Sequence, residues 1–114
     1  MEKMNVAMYY SNNDVRIEEM GIPEISEYEL LVKVKSSGIC GSDVLEWYSI
    51  KTAPRVLGHE ISGEIIKAGK KVKKFKKGDR VFVSHHVSCG SCHYCLQGHD
   101  TACETLHSTN FYPG

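Results

Sequence analysis

No run in this 114-residue chain approaches the ~20 apolar residues that a membrane-spanning helix requires. The opening MEKMNVAMYY has neither the basic start nor the apolar stretch of a secretory signal. No G-x-G-x-x-G follows a strand-like segment, so the turn that cradles a dinucleotide's phosphates is missing from these residues. Net charge is also missing, because 14 Lys and Arg offset 14 Asp and Glu. That balance gives no reason to expect nucleic acid or an acidic membrane as a partner. The length suits one domain, which buries roughly 65% of the surface its unfolded chain exposes. The absences together lead us to expect a soluble, cytoplasmic protein.

Cysteine, by contrast, is concentrated. Four of the five lie in the fifteen residues CGSCHYCLQGHDTAC, as Cys89, Cys92, Cys95 and Cys103, spaced C-x2-C-x2-C-x7-C. So short a loop cannot bury an apolar core. Four thiolates on one tetrahedral zinc, at about 2.3 Å per bond, would hold it instead. Disulfides fit poorly in a chain without an export signal. The ferredoxin run starts with the same triplet, but its fourth cysteine comes three residues later and precedes proline. Here seven residues intervene and Glu104 follows. A nucleic-acid zinc knuckle would want a histidine ligand, and the four cysteines already fill a tetrahedron, leaving His93 and His99 outside it. A closed site of this kind does no chemistry, so function must come from elsewhere.

The remaining cysteine is Cys40, in GICGSDV, and nineteen residues later LGHEISGEI presents His59 and Glu60. A thiolate and an imidazole on separate segments are half of an open zinc site with one exchangeable position. Taken singly, each reads as an ordinary core residue.

The run Gly58-His59-Glu60-Ile61-Ser62-Gly63, with Gly69 and Val72, resembles the pattern of zinc-containing alcohol dehydrogenases of the medium-chain dehydrogenase/reductase group, which includes sorbitol, polyol and threonine dehydrogenases. Gly38-Ile39-Cys40-Gly41-Ser42-Asp43, Gly78-Asp79-Arg80-Val81 and the four-cysteine segment resemble further motifs of that family, in the same order. The resemblance implies that Cys40 and His59 bind a catalytic zinc. Glu60 would be a third ligand or a swinging carboxylate. Ser42 would pass on the substrate hydroxyl's proton, and Asp43 would orient His59. Gly58 and Gly63 would permit close backbone approach. Leu45 departs from the pattern, since many members have histidine there at the outer end of the proton relay; Glu46 or the cofactor ribose would have to replace it. Trp47 and Tyr48 would line the substrate pocket, although alone they read equally as core aromatics.

Short β-prone runs dominate the rest. Residues 5–10 and 15–20 flank the turn Ser11-Asn12-Asn13-Asp14 and predict a hairpin. Residues 30–35 alternate in part, with Val32 and Val34 inward. Residues 42–48 predict one or two helical turns capped by Ser42 or Asp43. Residues 60–68 and 80–84 predict further strands. Short strands between glycine turns suggest a mainly β barrel or sandwich. The resemblance sharpens this to a GroES-like β-barrel with short helices and a projecting structural-zinc lobe from about residue 85 to 107. The seven lysines between 67 and 77 read as a solvated turn, with Val72 and Phe75 inward. His85 and His86 read as surface histidines or supports of a site, and His107 has no assigned role.

With no nucleotide fold in these residues, the resemblance implies the N-terminal zinc-binding part of a longer enzyme, inactive alone. That enzyme would be an NAD- or NADP-dependent dehydrogenase of a small alcohol or polyol, and a homodimer or homotetramer. The other readings are a non-catalytic, zinc-stabilised binding module and an iron–sulfur electron carrier.

Overall fold

The computed structural model of the chain describes residues 2–106. They fall into two compact units, one ending at Val83 and the other starting at Ser84. His107 and the outer boundary expected for the zinc lobe lie outside the described residues.

In the first unit, strands β1 (Lys3–Ser11) and β2 (Asp14–Gly21) form the expected antiparallel hairpin, closing through the pair Ser11↔Asp14. The two-residue strand β4 (Arg55–Val56) adds to the other edge of β1, giving the order β2-β1-β4. Strands β3 (Leu30–Gly38), β5 (Glu60–Ala68) and β6 (Arg80–Val83) form a second antiparallel sheet, in the order β3-β5-β6. The architecture is mainly β, as expected, with helices α1 (Glu46–Ser49) and α2 (His93–Leu96) of a single turn each.

Among the described residues, Val6, Tyr9 and Ile65 are the buried apolar side chains of this unit. Tyr9 keeps its polar tip satisfied by donating to Asn12 Oδ1 at 2.7 Å. Asn12 in turn donates to the Val44 carbonyl at 3.0 Å, tying the hairpin turn to the segment that follows β3. Between the sheets lies a cleft of about 1050 Å³ lined by Val6, Val15, Leu31, Val32, Val34 and Ile61 among others. The cleft corrects one expectation. Val34 shares its face with Val32 but is 50% exposed, because among the described residues that face lines the cleft.

Strand β3 meets β5 with two register shifts, one between Leu31 and Val32 and one between Val34 and Ser36. Gly63 lies between them, opposite Val34. A Cβ on Gly63 would sit 2.3 Å from the Lys33 carbonyl oxygen and 2.8 Å from Val32 Cγ1. The strands therefore approach closely because this position has no side chain.

The lysines of residues 67–77 are all exposed, as expected of a solvated turn. Lys76 N–H donates to Asp79 Oδ2 at 3.0 Å, and this bond, more than the nearby ammonium, lowers the Asp79 pKa. Val72 is half-buried, but Phe75 is 45% exposed rather than inward.

Gly63→Ala should cost about 3 kcal/mol of unfolding free energy by overpacking the ladder. Gly41→Ala, where nothing lies within 4 Å of the added Cβ, should stay within about 0.5 kcal/mol. Urea unfolding of the two variants compares them directly, and equal midpoints would contradict the close approach.

Candidate metal centres

The β3–β5 ladder ends in the pairs Ser37↔Ile61 and Gly38↔Glu60. Beyond it, one strand runs on through Ile39 to Cys40, while the other is preceded by Gly58 and His59. Two segments far apart in sequence are thus neighbours because the ladder ends where it does. Single ligand atoms of Cys40, His59 and Glu60 all lie within 4.8 Å of one another.

Gly58 has φ +108°, and Ser37 Oγ would lie 2.8 Å from a Cβ placed there. Both the backbone and the space require glycine before His59.

After Cys40 the chain makes a 3-10 turn over Gly41–Val44. Its cap is Cys40 rather than the expected Ser42 or Asp43. Asp43 instead sits inside the turn and reaches back, its Oδ2 accepting from Cys40 N–H at 2.9 Å. Its Oδ1 is buried and has no hydrogen-bond partner among the described residues; it lies 3.6 Å from His59 Nδ1. Ser42 Oγ lies 3.5 Å from His59 Nε2.

These residues fit a zinc ion. Thiolate, imidazole and carboxylate are all zinc donors, and three protein ligands leave one position open. The orphaned Asp43 oxygen faces the ring nitrogen that a metal-bound histidine offers to a carboxylate.

Sequence reasoning missed two supports of this turn. Ser49 is fully buried, and its hydroxyl donates to the Ser42 carbonyl at 3.4 Å. Arg55 Nη2 donates to Ser49 Oγ at 3.3 Å. No spacing motif marks either residue, because the link exists only once α1 folds back on the turn. Trp47 and Tyr48 are not core aromatics. They are 65% and 41% exposed and meet edge to face at 5.9 Å, with Lys51 Nζ 5.6 Å from the Trp47 ring centre. Leu45 is also exposed.

In the second unit, Cys89, Cys92, Cys95 and Cys103 likewise bring one sulfur each within 4.8 Å of the others. The turn after Cys89 uses positive φ at Gly90, and α2 carries Cys95 inward from Cys92. Backbone amides point at sulfur: Cys92 N–H donates to Cys89 Sγ at 3.2 Å, and Cys89 N–H donates to Cys103 Sγ at 3.3 Å. The Ser91 amide and hydroxyl, with the Cys92 amide, lower the Cys89 thiol pKa to about 6. Burial pushes Cys95 up to about 12, and neighbouring sulfurs add to the rise. Cys103 is lowered, first by the Cys89 amide. Such amide donors favour thiolates, the form that binds metal. His85 and His86 precede this cluster with rings 3.9 Å apart, and His86 N–H donates to Ser84 Oγ at 3.2 Å.

The alcohol dehydrogenase GroES-like domain matches residues 26–114. A sorbitol dehydrogenase of Bacillus subtilis is 38% identical over 109 residues, covering 90% of this chain and 31% of that protein. A sorbitol dehydrogenase of Bombyx mori is 40% identical over 110 residues, with coverage of 90% and 31%. Among solved structures, an alcohol dehydrogenase of Escherichia coli complexed with NADH superposes with TM-score 0.79 at 40% identity, covering 91% of this chain and 31% of that one. The chain thus spans about a third of the length of the curated relatives it matches. The described residues include no helix long and apolar enough to cross a membrane.

In the metal-free chain at pH 7, Cys89 should react with iodoacetamide at least tenfold faster than Cys95. The thiolate is the nucleophile, and of these two thiols Cys89 is the one lowered to about 6 while Cys95 is raised to about 12. The advantage should fade as pH falls through about 6 and Cys89 takes up its proton. Peptide mass spectrometry reads both rates, and equal labelling at pH 7 would contradict the amide contacts.

Proposed function

The chain belongs to the alcohol dehydrogenase GroES-like domain family, and on that premise we propose that it forms the metal-holding face of a zinc-dependent, NAD- or NADP-linked dehydrogenase of small alcohols or polyols. One observation carries the reading: the donor atoms of Cys40, His59 and Glu60 converge to within 4.8 Å while the four-cysteine cluster forms a separate, closed set. The cluster of Cys89, Cys92, Cys95 and Cys103 holds a structural zinc in the lobe that starts near residue 85. Cys40, His59 and Glu60 hold the catalytic one. Its chemistry there is Lewis acidity, which in favourable sites brings the pKa of bound water from about 15.7 to about 7.

The chain's own residues then divide the remaining work. Asp43 fixes the Cys40 end of the turn through one oxygen and faces His59 Nδ1 with the other, so the ring keeps Nε2 free of its proton. Ser42 Oγ, beside Nε2, accepts the proton that leaves the substrate hydroxyl. Leu45 holds no proton, so the outward path runs through Glu46 or the cofactor ribose. Ser49 and Arg55 keep the Ser42 backbone in place. The hydride acceptor binds in the part of the enzyme that carries the nucleotide fold. Ser42 and Glu60 fit the polyol branch, and both curated relatives named above are sorbitol dehydrogenases. The enzyme works in the cytoplasm as a homodimer or homotetramer.

The test uses the enzyme that carries this chain. Ser42→Ala should lower kcat for alcohol oxidation by about 10²-fold, the usual scale for losing a positioned proton acceptor. Asp43→Asn should weaken zinc affinity by about 10–100-fold with the fold intact. Full NAD(P)-linked turnover by Cys40→Ser and His59→Ala would overturn the reading.

A further inference from the structure

Gly38 is glycine for a reason its backbone does not supply. It is the last residue of β3, and its φ lies outside the left-handed region where glycine is preferred. Its cross-strand partner is Glu60. A Cβ on Gly38 would lie 2.9 Å from Glu60 Oε2 and 3.4 Å from Glu60 Cβ. The space that a side chain would fill therefore holds the carboxylate of the third candidate ligand. Glu60 is exposed, and its long side chain has several rotamers open to it.

We propose that Gly38 is a positioning residue: the missing side chain leaves a seat that keeps the Glu60 carboxylate turned toward Cys40 and His59. The inference rests on the reading of those three residues as a metal set. The clash at position 38 involves the far end of a flexible side chain, so an added methyl moves the carboxylate at little cost to the fold. This separates Gly38 from Gly63, where the obstruction is backbone. A change at Gly38 should thus alter the metal site while leaving stability nearly untouched.

The test is a cobalt(II) titration of the 114-residue chain with its four-cysteine cluster already loaded with zinc, read by visible absorbance. Gly38→Ala should weaken cobalt binding by about tenfold, within the range known for residues that orient ligands, and should change the ligand-field bands. Glu60→Ala should weaken it too. The double variant should be no weaker than Glu60→Ala alone, because the seat has nothing left to hold. Unchanged affinity and bands in Gly38→Ala would overturn the proposal, as would an equal loss from Gly38→Ala in the Glu60→Ala background. If Gly38→Ala unfolds the chain, refolding on adding Glu60→Ala supports the seat and failure to refold overturns it. The underlying reading fails separately, if cobalt bands of the parent chain are indifferent to Cys40→Ser.

Discussion

The site depends on where one β-ladder stops. Strands β3 and β5 pair as far as Gly38↔Glu60, and the chain departs from that last pair in two directions. A one-residue slip would turn every side chain of β5 to the other face. Glu60 would then point away from the turn that carries Cys40, and His59 would lose its place beside Asp43. Two glycines with different physical roles guard this junction. Gly58 supplies a backbone conformation that other residues resist, and Gly38 supplies room.

Burial cannot explain the molecule's order by itself. In the first unit the buried apolar side chains are few, and large residues such as Ile17, Ile39 and Phe82 stand mostly in solvent. Hydrogen bonds do much of the local positioning instead: Tyr9 to Asn12, Asn12 to Val44, Arg55 to Ser49, and Ser49 to Ser42. The chain of contacts runs from the hairpin to the serine beside His59. In the second unit, Cys103 and Leu106 are the buried residues among those described, and sulfur-directed amides shape the rest. Zinc held there, as proposed above, would add its binding free energy to the folding of this unit.

Much of this was legible in the sequence because local chemistry dictated it. The hairpin followed from a polar turn between β-prone runs, and strand β5 from Glu60 to Ala68 was readable residue by residue. The four-cysteine set was identifiable by type and spacing, whereas Cys40 and His59 singly read as core residues and Glu60 entered as a ligand only through the family resemblance. The failures are long-range. Val34 lies outside the core because the inner face of the sheet lines a cleft, which periodicity cannot reveal, and Phe75 stands exposed in the lysine-rich turn, outside that cleft. Ser49 and Arg55 were invisible because a serine and an arginine have no characteristic spacing. The cap moved from Ser42 or Asp43 to Cys40 because Asp43 serves the turn from within.

The central claim is that Cys40 and His59 grip one ion. Anomalous diffraction at the zinc edge, from crystals of the enzyme that carries this chain, tests it most directly. The account predicts two zinc peaks per chain: one within bonding distance of Cys40 Sγ and His59 Nε2, the other among the sulfurs of Cys89, Cys92, Cys95 and Cys103. A zinc-replete crystal with a peak at the four cysteines and none between Cys40 and His59 would contradict it.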